Sequence, residues 1–291
     1  MYNPRARQTF VSTSTDAGLS WTKPRNITSQ LVGGSSNPAW TSTRNPTAVT
    51  PGPGIQLLNG RSGRLIVPGY GCTLPAGDTC VTYSLTSSLR SWALISDDGG
   101  DTFRVGKASP VVGAAEPIAV ELDNGGVLMN MRSVQWKHDN KPHPLRFRQY
   151  TLSTDQGESF SNVQAGEYAN LVGPSCQASF TRAGNTLLFA NPANQESRLN
   201  MTLRVSTDEA KTWARSIPVY ANSSWYSSVV WVPALAPYRV AALLFFAKDC
   251  SQVIAESDLL GAGTRAPATA PNICKSVSLA RFGIGDETEN W

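Results

Sequence analysis

Charge is scarce in this 291-residue sequence: only 16% of its residues are Asp, Glu, Lys or Arg, and they leave a net charge of +4 with no basic run. That excludes an electrostatic footprint for nucleic acid, which needs Lys and Arg clustered on one face. Histidine is scarcer still. Its two copies, His138 and His143, fall with Asp139 in one polar stretch that reads as a solvated insertion between strands, so no metal site and no cofactor is expected. A bilayer-spanning apolar run is lacking too. The longest candidate, Val229 to Ala247, is broken by Pro233, Pro237 and Arg239 and fits two buried strands better. Met1 to Arg7 carry no apolar stretch, so no signal peptide is expected in the chain. Of the five cysteines at least one stays unpaired; Cys72 with Cys80, and Cys250 with Cys274, can each close a disulfide in an oxidising compartment, and their spacing matches no zinc site. Long amphipathic helical patterns are also missing.

What the chain does have is 41% hydrophobic residues and 43 Gly or Pro, the composition of a compact, turn-rich globular protein. It also has a repeat. Ser14-Thr15-Asp16-Ala17-Gly18-Leu19-Ser20-Trp21, Ser96 to Phe103 and Ser153 to Phe160 share the pattern S-x-D-x-G-x-x-(W/F), and Ser206 to Trp213 keeps it except for Ala210 at the glycine position. The pattern has a mechanical meaning. An Asp side chain accepts backbone N–H groups of its own turn, Gly takes positive φ, and the aromatic is expected to re-enter the core. Asp16, Asp98, Asp155 and Asp208 are therefore structural rather than catalytic, and Ala210 should carry a backbone cost if its turn still needs positive φ.

The boxes recur 82, 57 and 53 residues apart, a spacing that suits four-stranded propeller blades better than helical repeats. Strand-like runs lie between them: 54–58, 64–68, 118–122, 126–131, 186–190 and 201–205. If each box closes the third-to-fourth strand turn, residues from about 50 onward supply four blades and those before it half of one. A closing strand is expected near Lys275 to Phe282, after an Ala/Gly/Pro/Thr-rich loop over Ser257 to Asn272. Asn26, Asn200 and Asn222 head N-x-S/T sequons, which favour a secretory or lysosomal setting.

With the boxes in register, the intervening segments resemble the sialidase (neuraminidase) family. Gly52 to Leu57 followed by Gly63 to Tyr70 is similar to that family's third blade, and the similarity continues over most of the chain. Glu116 to Arg132 resembles the stretch that begins with a catalytic Glu and supplies a substrate-binding Arg sixteen residues later. Phe189 to Arg204 resembles the stretch carrying another triad arginine, at Arg198, and Ser223 to Ser228 resembles the segment bearing the tyrosine nucleophile, at Tyr226. The resemblance implies an all-β, six-bladed β-propeller and retaining exo-α-sialidase chemistry on sialylated glycans. Tyr226 would be the nucleophile and Glu116 its base, with Arg132 and Arg198 binding the substrate carboxylate. The chemistry is coherent. Sialic acid carries a carboxylate on its anomeric carbon, which a carboxylate nucleophile approaches against like charge and a neutral phenol does not. The phenol's ordinary pKa of about 10 then demands a base, and planar arginine forks suit the carboxylate. Glu121, Arg64 and Arg204 match no functional position and read as surface or buried-pair residues.

The sequence departs from the family in two places. The segments that carry the first triad arginine and the acid/base Asp have no counterpart, and Leu244-Phe245-Phe246 stands where the family usually has Leu-Tyr-Glu. The expectation is a single domain over residues 1–291, lacking the first blade and part of the second, with poor turnover. A sialic-acid-binding propeller without turnover and a protein-interaction scaffold are the alternatives. The compartment would be lysosomal or secreted, with the cytoplasm left open; the oligomeric state is not legible.

Overall fold

A computed structural model describes residues 8–31, 47–60, 63–72, 89–134, 147–231, 240–250 and 274–283. Among the described residues the architecture is all-β apart from one turn of helix. In chain order the elements are β1 (Phe10–Val11), β2 (Arg25–Asn26), α1 (Thr28–Leu31), β3 (Thr47–Val49), β4 (Ile55–Gln56), β5 (Leu65–Cys72), β6 (Leu89–Ser96), β7 (Arg104–Val105), β8 (Ala114–Glu121), β9 (Val127–Ser133), β10 (Gln149–Ser153), β11 (Ser161–Asn162), β12 (Ser179–Ala183), β13 (Thr186–Pro192), β14 (Leu199–Ser206), β15 (Arg215–Trp231), β16 (Val240–Cys250) and β17 (Cys274–Gly283). Each strand-like run of the sequence is found as a strand, including the closing one. The Cys80, His138 and His143 positions and the 257–272 segment lie outside the described residues. Among the described residues, no helix is long and apolar enough to cross a membrane.

The strands form sheets ordered β1-β2, β3-β5-β6-β7 with β4 also on β5, β11-β10-β9-β8, and β12-β13-β14-β15-β16-β17. Neighbours of known register are antiparallel, as tight turns between consecutive strands require. β15 is long because it serves two ladders, pairing β14 through Ser223 and β16 from Ser224 onward. The boxes close the turns β1 to β2, β6 to β7, β10 to β11 and β14 to β15, and the last three of these join the third and fourth strands of their sheets as the spacing suggests.

The chain divides into two compact units, residues 1–129 with 151–162 and residues 130–150 with 163–291. In the first, β6 is buried on both faces. Trp92 and Leu94 pack with Ile27, Leu31, Phe103 and Val105, whereas Ala93 and Ile95 pack with Ile66, Ala119, Met129 and Phe160. That explains why its sequence, Trp92-Ala93-Leu94-Ile95, does not alternate apolar with polar residues. In the second unit Leu188, Ala190, Met201, Leu203, Val229, Leu244 and Phe246 form one cluster. Full burial of each large side chain contributes about 1.5–3 kcal/mol.

The boxes share one wiring scheme. In the box at Asp98, Ser96 Oγ donates to Asp98 Oδ1 (2.8 Å) and accepts from Gly100 N (2.8 Å), while Thr102 sends its amide to Oδ1 (2.9 Å) and its hydroxyl to Oδ2 (2.5 Å). Asp16, Asp155 and Asp208 are bound in the same way. The hydroxyl of Thr102, then its amide and the Ser96 hydroxyl, lower the Asp98 carboxyl to about 2, and Ser20 and Ser14 do the same for Asp16. Burial works to raise Asp155 and Asp208, but the hydroxyl and amide of Ser159 and of Thr212 outweigh it and hold both below the ordinary value. Two consecutive residues take positive φ in each turn. Ala210 does so at +66° while fully buried, a backbone cost of about 1–2 kcal/mol that the glycine boxes avoid. At Gly157 (φ +90°) the space is closed as well, since a Cβ would come within 2.8 Å of Ile66 Cδ1.

One expectation fails at the first box. Phe103 and Phe160 are buried and Trp213 packs between Phe180 and Phe189, but Trp21 is 63% exposed. Among the described residues its sheet has two strands rather than four or more, and the indole turns back to donate to the Gly18 carbonyl at 3.1 Å.

Candidate active site

Three of the four residues singled out from the sequence lie in the second unit, and the structure links them. Arg132 is near the end of β9, Arg198 immediately precedes β14, and Tyr226 is in β15; all three are partly exposed. Arg132 Nη1 donates to the Tyr226 hydroxyl at 3.5 Å and Arg132 Nε to Ser175 Oγ at 3.2 Å. Arg198 Nη2 donates to the Ser175 carbonyl at 3.3 Å, and its guanidinium lies over the Trp225 ring, 4.3 Å from the centroid. A cation held against an indole face retains its charge while losing rotamer freedom.

The local backbone explains how Tyr226 reaches the arginine. On β15 and β16 the register runs Ser224↔Lys248 and then Ser227↔Phe246, so two residues, Trp225 and Tyr226, stand opposite one. This is a β-bulge just where β15 leaves β14 for β16, and bulges re-aim side chains that a regular pleat would send elsewhere. The Ser224 amide donates to the Arg198 carbonyl at 2.8 Å, which ties the segment before the bulge to the arginine's own backbone.

The sequence reading missed the strap that organises this cluster, Ser175 to Ser179. Ser175 holds both arginines. Gln177, fully buried, donates its Nε2 to the Ser227 carbonyl (3.0 Å) and accepts from the Ser227 amide through Oε1 (2.9 Å), clamping the backbone next to Tyr226. The Ser179 and Ser227 hydroxyls are 3.0 Å apart, and Ser227 Oγ also donates to the Ala190 carbonyl. No sequence signal marks the strap, Ser175-Cys176-Gln177-Ala178-Ser179, beyond the proline that precedes it.

Glu116, the fourth candidate, belongs to the first unit. It sits within β8, is 7% exposed, and has φ +44°, although a proline follows it. A non-glycine residue held at positive φ inside a strand costs about 1–3 kcal/mol and persists only where its surroundings over-determine it, a condition that concentrates at functional sites.

The remaining charged residues have structural partners. Glu121 accepts the amides of Leu58, Asn59 and Gly60 at 2.7, 3.0 and 3.1 Å, anchoring the loop before β5. Arg64 is buried against Asp97 and Glu158, and Arg204 donates to Asn191 Oδ1 at 2.7 Å. Phe246, at the position where the family usually has Glu, is buried in the core and packs against Tyr220 with ring centroids 5.8 Å apart. Among the described residues no three His, Cys, Asp or Glu side chains are placed to hold a metal ion.

A family model described as BNR repeat-like domain matches residues 2–234. A sialidase of Micromonospora viridifaciens is 32% identical over 241 residues, covering 79% of this chain and 33% of that protein. Human Sialidase-4 is 35% identical over 147 residues (50% of this chain, 27% of that protein), and human Sialidase-3 is 29% identical over 227 residues (75% and 49%). The chain thus spans half or less of the length of these curated relatives. Among solved structures, the intramolecular trans-sialidase of Ruminococcus gnavus in complex with oseltamivir carboxylate superposes with a TM-score of 0.64 at 19% identity, covering 95% of this chain and 50% of that one. A Hadza microbial sialidase gives 0.63 at 20% identity, covering 82% and 41%. At that identity the structural likeness establishes the fold, the β-propeller of the sialidases.

Proposed function

The chain belongs to the sialidase family with BNR repeats, and on that premise we propose that it recognises terminal sialic acids of glycoproteins, glycolipids or oligosaccharides and supports their retaining hydrolysis. Arg132 and Arg198 receive the sugar carboxylate in their planar forks. Tyr226 is the nucleophile for the anomeric carbon and Glu116, by the family resemblance, the base for its phenolic proton; the aglycone oxygen leaves with a proton from solvent water, and a second water, giving up a proton to solvent, then displaces the tyrosine, so two inversions give net retention. The observation that carries the reading is the direct contact of Arg132 with the Tyr226 hydroxyl, with Arg198 joined to the same cluster through Ser175. Asn26, Asn200 and Asn222 are all exposed, which supports a secretory or lysosomal setting.

A second reading, binding without turnover, is favoured by one observation: Phe246 occupies a buried apolar position where the family usually places the Glu that braces its first arginine. One experiment separates the two. The protein is titrated with N-acetylneuraminic acid and incubated with a fluorogenic α-sialoside while the released anomer is followed by NMR. Turnover that first releases the α-anomer, and is lost in Tyr226→Phe, supports hydrolysis. Binding without release supports the lectin-like reading. Neither binding nor release overturns both.

A further inference from the structure

We propose that Ser175 is a positioning residue that sets the spacing of the two carboxylate-binding guanidiniums before any ligand arrives. The inference rests on the sialic-acid-binding reading of Arg132 and Arg198. It comes from one residue meeting both arginines by different atoms: the hydroxyl takes Arg132 Nε at 3.2 Å and the carbonyl takes Arg198 Nη2 at 3.3 Å. The hydroxyl spends its own proton on the Ser133 carbonyl at 2.9 Å, which leaves its lone pairs directed to the guanidinium. Ser133 directly follows Arg132, so the bond closes a small ring between the Arg132 backbone and its own head group. Ser175 has φ +54°, an uncommon value for a residue other than glycine, and it holds that backbone with its side chain engaged. Arginine side chains lose considerable rotamer freedom when fixed. Fixing two of them through one rigid residue removes that cost from ligand binding.

The test compares Ser175→Ala with Ser175→Gly. Both remove the hydroxyl, but only glycine relieves the backbone, so the two variants differ in melting temperature, with the glycine variant the higher. Two probes are titrated: N-acetylneuraminic acid and its methyl ester, which has no carboxylate charge. Both variants should bind the acid roughly tenfold more weakly than wild type and to the same extent, whereas affinity for the ester should change by less than about twofold. Wild-type affinity for the acid in either variant overturns the proposal, and so does a loss that follows melting temperature or strikes the ester equally. If wild type binds neither probe, the sugar reading fails. The positioning role is then judged by NMR of the Arg132 Nε–H in free protein, whose exchange protection must fall in both variants; unchanged protection overturns it.

Discussion

Arg64 and Arg104 in the first unit and Arg198 in the second are held in contrasting ways. In the first unit, Arg64 and Arg104 are closed by carboxylates. Arg64 binds both oxygens of Asp97 (2.7 and 3.1 Å) and reaches Glu158 (2.9 Å), while Arg104 binds both oxygens of Glu158 (each 2.6 Å) and reaches Asp97 (3.0 Å). In the second unit, Arg198 is held by a carbonyl and an indole face, and among the described residues it forms no ion pair; Arg132 is oriented by a serine and a tyrosine hydroxyl. Neutral oxygens orient a guanidinium without discharging it. A fork already filled by carboxylate has little left for a ligand, whereas one propped by neutral groups keeps its charge for an incoming anion. The same residue type is thus a fastener in one unit, while in the other Arg198, the proposed carboxylate receptor, keeps its charge available.

The largest effect expected from this contrast is on binding. Arg198→Ala should weaken N-acetylneuraminic acid roughly 10²-fold, the loss of a charge-assisted contact, and leave the urea unfolding midpoint nearly unchanged. An unfolding midpoint that drops sharply would make Arg198 a fastener and erase the distinction. Arg64→Ala should do the converse. Its side chain is 1% exposed while Asp97 and Glu158 are 37% and 42% exposed, so the cost falls short of a wholly buried pair, at about 2 kcal/mol of unfolding free energy. The folded fraction should bind sugar as wild type does, and altered affinity would show that the two sets of arginines are coupled. Arg104→Ala removes a fork that is 39% exposed and should cost only about 0.5–1 kcal/mol by the same unfolding measurement, since solvent and salt screen it.

The Asp boxes were far more legible in the sequence than either set of arginine contacts. Box chemistry is local. Ser96, Asp98, Gly100 and Thr102 bind one another across two to four residues, so one pattern states both the turn and its hydrogen bonds. Residue type and spacing were enough to nominate Arg132, Arg198 and Tyr226 through the family resemblance, but not what joins them. Ser175 meets Arg132 across 43 residues and Gln177 meets Ser227 across 50, and small polar residues at such separations leave no periodicity to read. The extra residue that makes the bulge at Trp225 and Tyr226 is visible only once β16 is laid beside β15. Trp21 shows the opposite limit. The motif fixes where its aromatic stands in the turn but carries no information on whether the sheet is wide enough to cover it.

The smallest expected effect concerns acid. The Asp97 carboxyl lies below its ordinary value because Arg64 donates to it, with burial opposing and Arg104 assisting. A carboxyl depressed in the folded state contributes stability that is fully present above its unfolded pKa, near 3.9, and is lost as pH falls through the folded value. Unfolding free energy measured by urea should therefore decline as the pH is lowered from about 4, with part of that decline belonging to Asp97. In Asp97→Asn the part vanishes: stability at pH 7 drops by a fraction of a kcal/mol, because Asp97 is more than a third exposed, and the acid limb becomes correspondingly shallower. The Asp boxes, with Asp16 and Asp98 at about 2, contribute to the limb in both proteins. Arg198, held by a carbonyl and an indole face, contributes nothing to this limb. Arg198→Ala should leave the limb unaltered, and a shallower limb in that variant would reveal a carboxylate beside Arg198 and dissolve its contrast with Arg64 and Arg104.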